Sequence, residues 1–326
     1  MEPFERKSIV VLGGGNGASF MLRTLKPFAE HLSITGIIAM SDSGGSSGYL
    51  RKKFGVLPPG DVLRALIALS TYDSDALKEI LYTKRFPALS NLTDEPKNAP
   101  NLGNILLTFL QQSGGIVTAL SVLEEAFKTA GRVLPITTTH THLCAELSDG
   151  TFTTRECDLD KPNFSRDLMV KRLWIEPESE AYEPALKAIR EADFIFFGPG
   201  DLYTSVIATL LPNGVWRALS DSKAEFIQVI ARSKHRHGEP SPITLSGIVQ
   251  EMQAYLPRPV DMVLYNNAIV SGELLEIYAR NEWAPIEHDV KEIEGMLVRG
   301  VDFEESRGGY SWKKLSETIR ELLGIM

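Results

Sequence analysis

The sequence predicts an α/β fold with a mainly parallel sheet, and two patterns carry that prediction. Short apolar, β-rich runs are each followed by a glycine-rich turn and a segment at helical spacing, the order of successive βαβ units. The runs are apolar throughout rather than alternating, as strands covered on both faces are. Composition agrees: 326 residues, 43% hydrophobic and 23% charged, make an ordinary globular chain. A chain of this length buries roughly three quarters of its unfolded surface.

The elements follow in order. Ser8 to Leu12 is the first run, Gly13-Gly14-Gly15-Asn16-Gly17 turns the chain, and Ala18 to Leu25 continues at helical spacing. Ile34 to Met40 is the second run and leads into Ser41-Asp42-Ser43-Gly44-Gly45-Ser46-Ser47-Gly48. Pro58-Pro59-Gly60-Asp61 precedes a helix over Val62 to Leu69, and Asn98-Ala99-Pro100-Asn101-Leu102-Gly103-Asn104 enters another over Ile105 to Leu110. Val133 to Thr137 and Leu143 to Leu147 are β-like, and Asp149-Gly150 is a turn before Thr151 to Thr154. Phe194 to Phe197 leads into Gly198-Pro199-Gly200-Asp201 and a helical segment from Leu202 to Leu211. Phe226 to Ile230 and Met262 to Tyr265 add strands, while the polar, proline-bearing Arg232 to Pro242 reads as a surface loop. With no linker in view, residues 1–326 read as one Rossmann-like, three-layer α/β/α domain with a β-hairpin subdomain inserted at about 133–158.

Charge and composition exclude several roles. Lys+Arg total 34 against 42 Asp+Glu, a formal net charge of −8, so no overall positive field favours nucleic acid. No stretch approaches the ~20 apolar residues of a bilayer span. Met1 to Ser8 carry both charge signs without a leader-like apolar block, and Cys144 and Cys157 are too few for a disulfide framework. The expected compartment is the cytoplasm and the expected partner a small molecule. A homo-oligomer is compatible with the sequence, although no coiled coil argues for one.

The glycine loops carry the chemistry. Gly13-x-Gly15-x-x-Ala18 opens a helix directly after a strand, where Gly14, Gly15 and Asn16 would hold phosphate or ribose at a helix N-terminus. Asp42 falls where a ribose-binding acid sits; the alternative for the first motif is a turn serving only strand–helix packing. Ser46 and Ser47, between glycines, would make an anion nest, with Arg51, Lys52 and Lys53 following. Asp61 is a natural N-cap and, if it meets Asp42, the two would hold Mg²⁺ together with a substrate phosphate. Asn101 and Asn104 can bond a ligand or cap a helix. Gly200, Tyr203 and Thr204 lie in a third strand-to-helix loop, and Asn267 ends another strand. His140, His142 and Cys144 form an incomplete zinc-type pattern. No Ser-His-Asp or reactive-cysteine motif is present.

In this order, Gly13-Gly14-Gly15-Asn16-Gly17, Asp42-Ser43-Gly44-Gly45-Ser46-Ser47-Gly48, Pro58-Pro59-Gly60-Asp61, Leu102-Gly103-Asn104 and Gly198-Pro199-Gly200-Asp201-Leu202-Tyr203-Thr204-Ser205 resemble the family of 2-phospho-L-lactate transferase and the gluconeogenesis factor. The resemblance runs from about Ile9 to Asn267, and the Gly-Gly-Ser-Ser-Gly loop is similar to the gluconeogenesis-factor branch. It implies a regulator that binds a UDP-sugar such as UDP-N-acetylglucosamine and acts in carbon metabolism, cell-wall homeostasis and cell shape. The transferase branch implies Mg²⁺-dependent transfer of a phospholactyl group from a guanosine diphospho carrier to a deazaflavin; if the chain is an enzyme of this kind, Asp42 and Asp61 are its catalytic candidates. The chain departs from the pattern at Ser43, which replaces an aspartate, at Asn16, which replaces a threonine, at Leu63-Arg64, which loses one basic group, and at Ala231 to Pro240, which replaces a pocket-forming loop. The extra positive charge of that segment would favour a more anionic ligand. An NAD-dependent oxidoreductase is a third reading of Gly13-x-Gly15 with Asp42, but no residue is marked out as its hydride-transfer acid or base.

Overall fold

The computed structural model describes residues 6–86, 99–165 and 167–325. Met1 to Glu5, from the N-terminal segment, and Asn98, at the head of the asparagine loop, lie outside them. The strands are β1 (Lys7–Gly13), β2 (Leu32–Ile38), β3 (Arg132–Pro135), β4 (His142–Leu147), β5 (Phe152–Thr153), β6 (Val170–Glu176), β7 (Phe194–Phe197), β8 (Glu225–Ile230), β9 (Ser233–His235), β10 (Met262–Asn266), β11 (Trp283–Pro285) and β12 (Leu297–Val301). The helices are α1 (Gly15–Leu25), α2 (Gly45–Phe54), α3 (Gly60–Leu69), α4 (Ser74–Lys78), α5 (Leu102–Ala126), α6 (Glu156–Asp160), α7 (Glu183–Arg190), α8 (Val215–Asp221), α9 (Leu245–Gln253), α10 (Glu273–Arg280) and α11 (Trp312–Leu322).

The main sheet has seven strands in the order β12-β10-β8-β7-β1-β2-β3, and every pairing in it is parallel. This is the expected α/β architecture. The apolar runs become its interior: Val11, Leu12, Phe196, Phe197, Phe226, Ile227, Val263 and Leu264 are all fully buried. The chain leaves β1 toward β2 and β3 on one side and returns to β7 on the other. The β1/β7 junction is therefore the topological switch point, where loops diverge and open a crevice at the carboxyl ends of the strands.

The small sheet lies elsewhere than the sequence suggests. Val133 and Leu134 belong to β3, which pairs with β2 in the main sheet. The outlying antiparallel sheet has the order β5-β4-β6 and runs from His142 to Glu176 rather than over 133–158. Its third strand, Val170–Glu176, alternates buried Val170, Leu173 and Ile175 with more exposed residues.

The expectation about apolar stretches is corrected at α5. Its 25 residues, with a mean hydropathy of 1.5 over the most apolar window, are long and apolar enough to cross a bilayer. The helix is broken at Gly115, which has φ 77° and ψ 172°, and buries Leu107, Ile116, Leu120 and Leu123 in the core shared with α3 and β3.

One close approach joins the two halves of the sheet above the switch point. At Gly17 a Cβ would stand 1.8 Å from the Pro199 carbonyl oxygen. Only a glycine lets the first turn of α1 rest against the turn after β7. Gly17→Ala is expected to lower the unfolding free energy by about 1–3 kcal/mol through overpacking, read from urea denaturation midpoints; an unchanged midpoint would show that the two turns are not in contact.

Candidate functional site at the switch point

A cavity of about 1090 Å³ opens at this junction. One wall is the first turn of α1, with Gly14, Gly15, Asn16 and Gly17, and Arg64 of α3 stands beside it. The facing wall carries Gly200, Asp201 and Ser205; Asp160 and Lys161 come from the small-sheet region, and Arg232, Lys234, His235 and Glu239 from the segment after β8. Trp283, Tyr310 and Trp312 add aromatic surface.

Glycines shape the α1 wall. Gly15 has φ +56°, a left-handed conformation that favours glycine. Gly14 is needed for space, because a Cβ there would lie 2.9 Å from Asp61 Oδ2 and 3.4 Å from Ser205 Oγ. As N-cap residue, Gly14 supplies no side-chain hydrogen bond. The partial positive charge of an 11-residue helix therefore faces the cavity.

Asp61 does not cap its own helix. Pro59 is the N-cap of α3, and Asp61 sits in the first turn with its carboxylate reaching across to α1. Oδ2 accepts the Gly15 N–H at 2.8 Å and Oδ1 accepts Arg64 Nη1 at 3.0 Å. Arg64 also lies over the Tyr82 ring, 4.6 Å from its centroid, so its planar fork is held from two sides. The basic residue that the family pattern would double is thus present once, on the cavity wall.

Asp42 and Asp61 do approach one another. Enclosure pushes Asp42 up from 3.8 to about 6, helped by the Asp61 charge, while the Gly44 N–H and the Ser47 hydroxyl favour its ionised form. Asp42 Oδ1 accepts the Gly44 N–H at 2.8 Å. Glu156 of α6 accepts the Ser43 N–H at 3.1 Å, and burial followed by the Asp42 charge raises its carboxyl as well. On the cavity wall, Asp201 rises to about 6 from enclosure, with further contributions from Asp160 and Asp61. Five carboxyl groups thus share one region, although among the described residues no three His, Cys, Asp or Glu are placed to hold a metal ion. Asp42 and Asp61 fit a magnesium ion of the kind held by one or two carboxylates plus substrate phosphates, since a carboxylate oxygen engaged by one N–H retains a lone pair.

Several expected ligand residues do other work. Ser46 Oγ accepts Asn104 Nδ2 at 2.9 Å and Arg85 Nη1 at 3.3 Å, away from the cavity wall. Ser47 faces Asp42. Asn101 is the N-cap of α5, its Oδ1 accepting the Asn104 N–H at 2.7 Å. Arg51 turns inward to the carbonyls of Ser41, Asp42 and Thr141, leaving Lys52 and Lys53 exposed. Tyr203 is fully buried with its hydroxyl facing Glu251 of α9, and burial drives its pKa up. Thr204 bonds Glu239. Asn267 is exposed and off the wall. Its neighbour Asn266 is buried and donates to Glu304 Oε2 at 2.8 Å. Gly14, Gly15, Asn16 and Gly200 are the expected ligand residues that line the cavity.

The Arg232 to Pro242 segment is a cavity wall rather than a plain surface loop. Its β9 pairs antiparallel with β11. Arg232 donates to the Ala268 carbonyl at 2.8 Å and to the Ile286 carbonyl at 2.6 Å, and Lys234 donates to Ser241. Glu239 is 5% exposed. Burial, then the charge of Asp201, push it up to about 8, against the pull of three backbone N–H groups. Sequence reasoning missed Glu239 because nothing marks a single Glu in a polar run as buried. It also missed Gln228, a buried amide in the middle of β8 that lines the cavity; a lone polar residue inside the apolar run Phe226 to Ile230 was the available signal.

Fold and cleft together define a doubly wound α/β protein whose crevice lies at the switch point of its sheet. The chain belongs to the CofD family: the family model described as 2-phospho-L-lactate transferase CofD matches residues 9–303. A gluconeogenesis factor of Halalkalibacterium halodurans is 34% identical over 88% of this chain and 87% of its own length. A gluconeogenesis factor of Listeria innocua is 32% identical over 98% of this chain and 96% of its own length. A crystal structure of a Bacillus halodurans protein is similar with a TM-score of 0.85 at 32% identity, covering 97% of this chain and 99% of that one.

The raised carboxyls set a pH dependence. For Asp42 and Asp201 the folded-state value of about 6 lies above the ordinary 3.8. Between those values the folded protein holds protons that the unfolded chain has released, so stability falls as pH rises through the window. Urea unfolding at stepped pH is expected to give a less negative slope there for Asp42→Asn; an unchanged slope would mean that Asp42 titrates as an ordinary carboxyl.

Proposed function

We propose that the protein binds a nucleotide or nucleotide sugar in the switch-point cavity and acts as a regulator of the gluconeogenesis-factor type. The observation that carries the binding is the glycine-built N-terminus of α1 opening on the cavity beside Arg64, where Asp61 takes the Gly15 N–H and no side chain of the N-cap residue covers the turn. Backbone donors, a helix dipole and a guanidinium at one place suit a phosphate group. The remaining space suits a nucleoside or sugar, with Trp283 and Tyr310 offering ring surface. Support for regulation comes from the names of the relatives. A UDP-sugar such as UDP-N-acetylglucosamine is the ligand that this reading selects, and the cytoplasm is the compartment where such a ligand is met.

A second reading is favoured by the proximity of Asp42 and Asp61 and by the description of the family model. In it the protein is a transferase acting on a nucleotide-diphospho donor. Asp42 and Asp61 would hold Mg²⁺, which when bound supplies positive charge to the leaving phosphate. Arg64 and the α1 amides would orient that phosphate, and Asp61 would keep the α1 turn in place.

Calorimetric titration with UDP-N-acetylglucosamine, GDP and NAD, each with and without Mg²⁺, separates the readings. Saturable metal-independent binding of the UDP-sugar, weakened roughly tenfold or more in Arg64→Ala by loss of a charge-assisted contact, is the expected result. Binding of GDP only with Mg²⁺, with turnover lost in Asp42→Asn, would move the assignment to the transferase. Binding of NAD alone would overturn both.

A further inference from the structure

The turn after β7 has the composition of a phosphate loop, yet its donors already have an anion. Glu239 reaches over from the segment after β9. Its Oε1 accepts the Leu202 N–H, and its Oε2 accepts the N–H groups of Tyr203 and Thr204 at 3.0 Å each. The Thr204 hydroxyl adds a contact at 3.3 Å. Successive backbone N–H groups converging on one anion are what a phosphate nest provides, and bonds to a charged acceptor are the strong ones. Here the chain's own carboxylate takes that place, with Asp201 on the same wall.

The opposite wall has the reverse character. In the first turn of α1 the N-cap Gly14 has no side chain to offer, Asp61 takes the Gly15 N–H, and Arg64 stands beside the turn. Across from it stand the carboxyl groups of Asp201 and Glu239 with Lys161, Arg232 and Lys234 on the same side, Arg232 being bonded to the Ala268 and Ile286 carbonyls and Lys234 to Ser241.

We propose that Glu239 determines ligand specificity: its carboxyl group closes the Leu202–Thr204 seat and, when ionised, presents negative charge there, so the cavity takes a ligand with phosphate at one end and an uncharged, hydroxyl-bearing group at the other. This rests on the nucleotide-sugar reading above and sharpens it. A nucleoside diphosphate sugar has the required polarity, with its phosphates against α1 and its sugar hydroxyls against Asp201 and Glu239. A nucleoside triphosphate places its terminal phosphate against those carboxylates, and like charges facing one another disfavour it.

The test compares UDP-N-acetylglucosamine with UTP by calorimetry, at a pH high enough to ionise Glu239. The intact protein is expected to prefer the sugar nucleotide. Glu239→Gln keeps the side chain's shape, and its folding is checked by circular dichroism. It is expected to cut that preference roughly tenfold or more, the kind of effect that removing a like-charge clash gives, whereas Glu239→Asp retains it. A purely structural role would weaken both ligands together and leave their ratio unchanged; that result in folded Glu239→Gln overturns the proposal. If the intact protein binds neither nucleotide, the nucleotide-sugar reading fails and inorganic phosphate tests the seat by itself. Glu239→Ala is then expected to take up one more phosphate per chain than the intact protein, and equal uptake overturns the proposal.

Discussion

The cleft depends on how closely two turns approach across the switch point of the sheet. β1 and β7 pair in parallel from Ile9 with Phe194 to Leu12 with Phe197, and both turns rise from the same end. Gly17 lets α1 come down onto Pro199, Gly14 makes room for Asp61 and Ser205, and Asp61 ties the Gly15 amide to α3. A methyl group at Gly17 would drive the turns apart and move the α1 amides relative to Gly200 and Asp201. The position of every donor on the α1 wall is therefore set by packing in a region with almost no side chains.

Charge is arranged on that scaffold with little slack. Asp42, Asp61, Glu156, Asp160 and Asp201 crowd one region, and burial and mutual repulsion raise four of them, Asp42, Glu156, Asp160 and Asp201. Asp61 is the member paired directly with a cation, Arg64. Perturbed carboxyl groups gathered in a cleft are a recurrent mark of functional sites. Of the five, Asp160 and Asp201 line the cavity, and Asp42, Asp61 and Glu156 stand behind its wall. The basic residues after β8 do not compensate freely, because Arg232 is fastened to backbone carbonyls and Lys234 to Ser241.

The architecture was largely legible because periodicity reports burial. Phe194 to Phe197 and Phe226 to Ile230 are continuous apolar runs, and they became central parallel strands. The first glycine loop was legible because glycine at the end of a strand and the start of a helix has few other uses. The roles of individual polar residues were not legible. Tyr203 and Thr204 follow a glycine turn as ligand residues do, but the chain folds so that one packs in the core and the other bonds Glu239. Position alone marks Asn101 and Asn267 as ligand residues. Asn101 caps α5, and at the end of β10 the buried amide is Asn266. Glu239 emerges only when the segment after β8 folds back over the turn after β7, a tertiary contact with no local signature.

The most direct measurement is a crystal structure of the protein grown with UDP-N-acetylglucosamine. The account predicts the diphosphate at the first turn of α1, near the backbone amides of Asn16 and Gly17 and the guanidinium of Arg64, with Glu239 still seated on Leu202 to Thr204. A diphosphate on the Leu202 to Thr204 amides with Glu239 displaced, or a ligand bound outside the cavity, would contradict it.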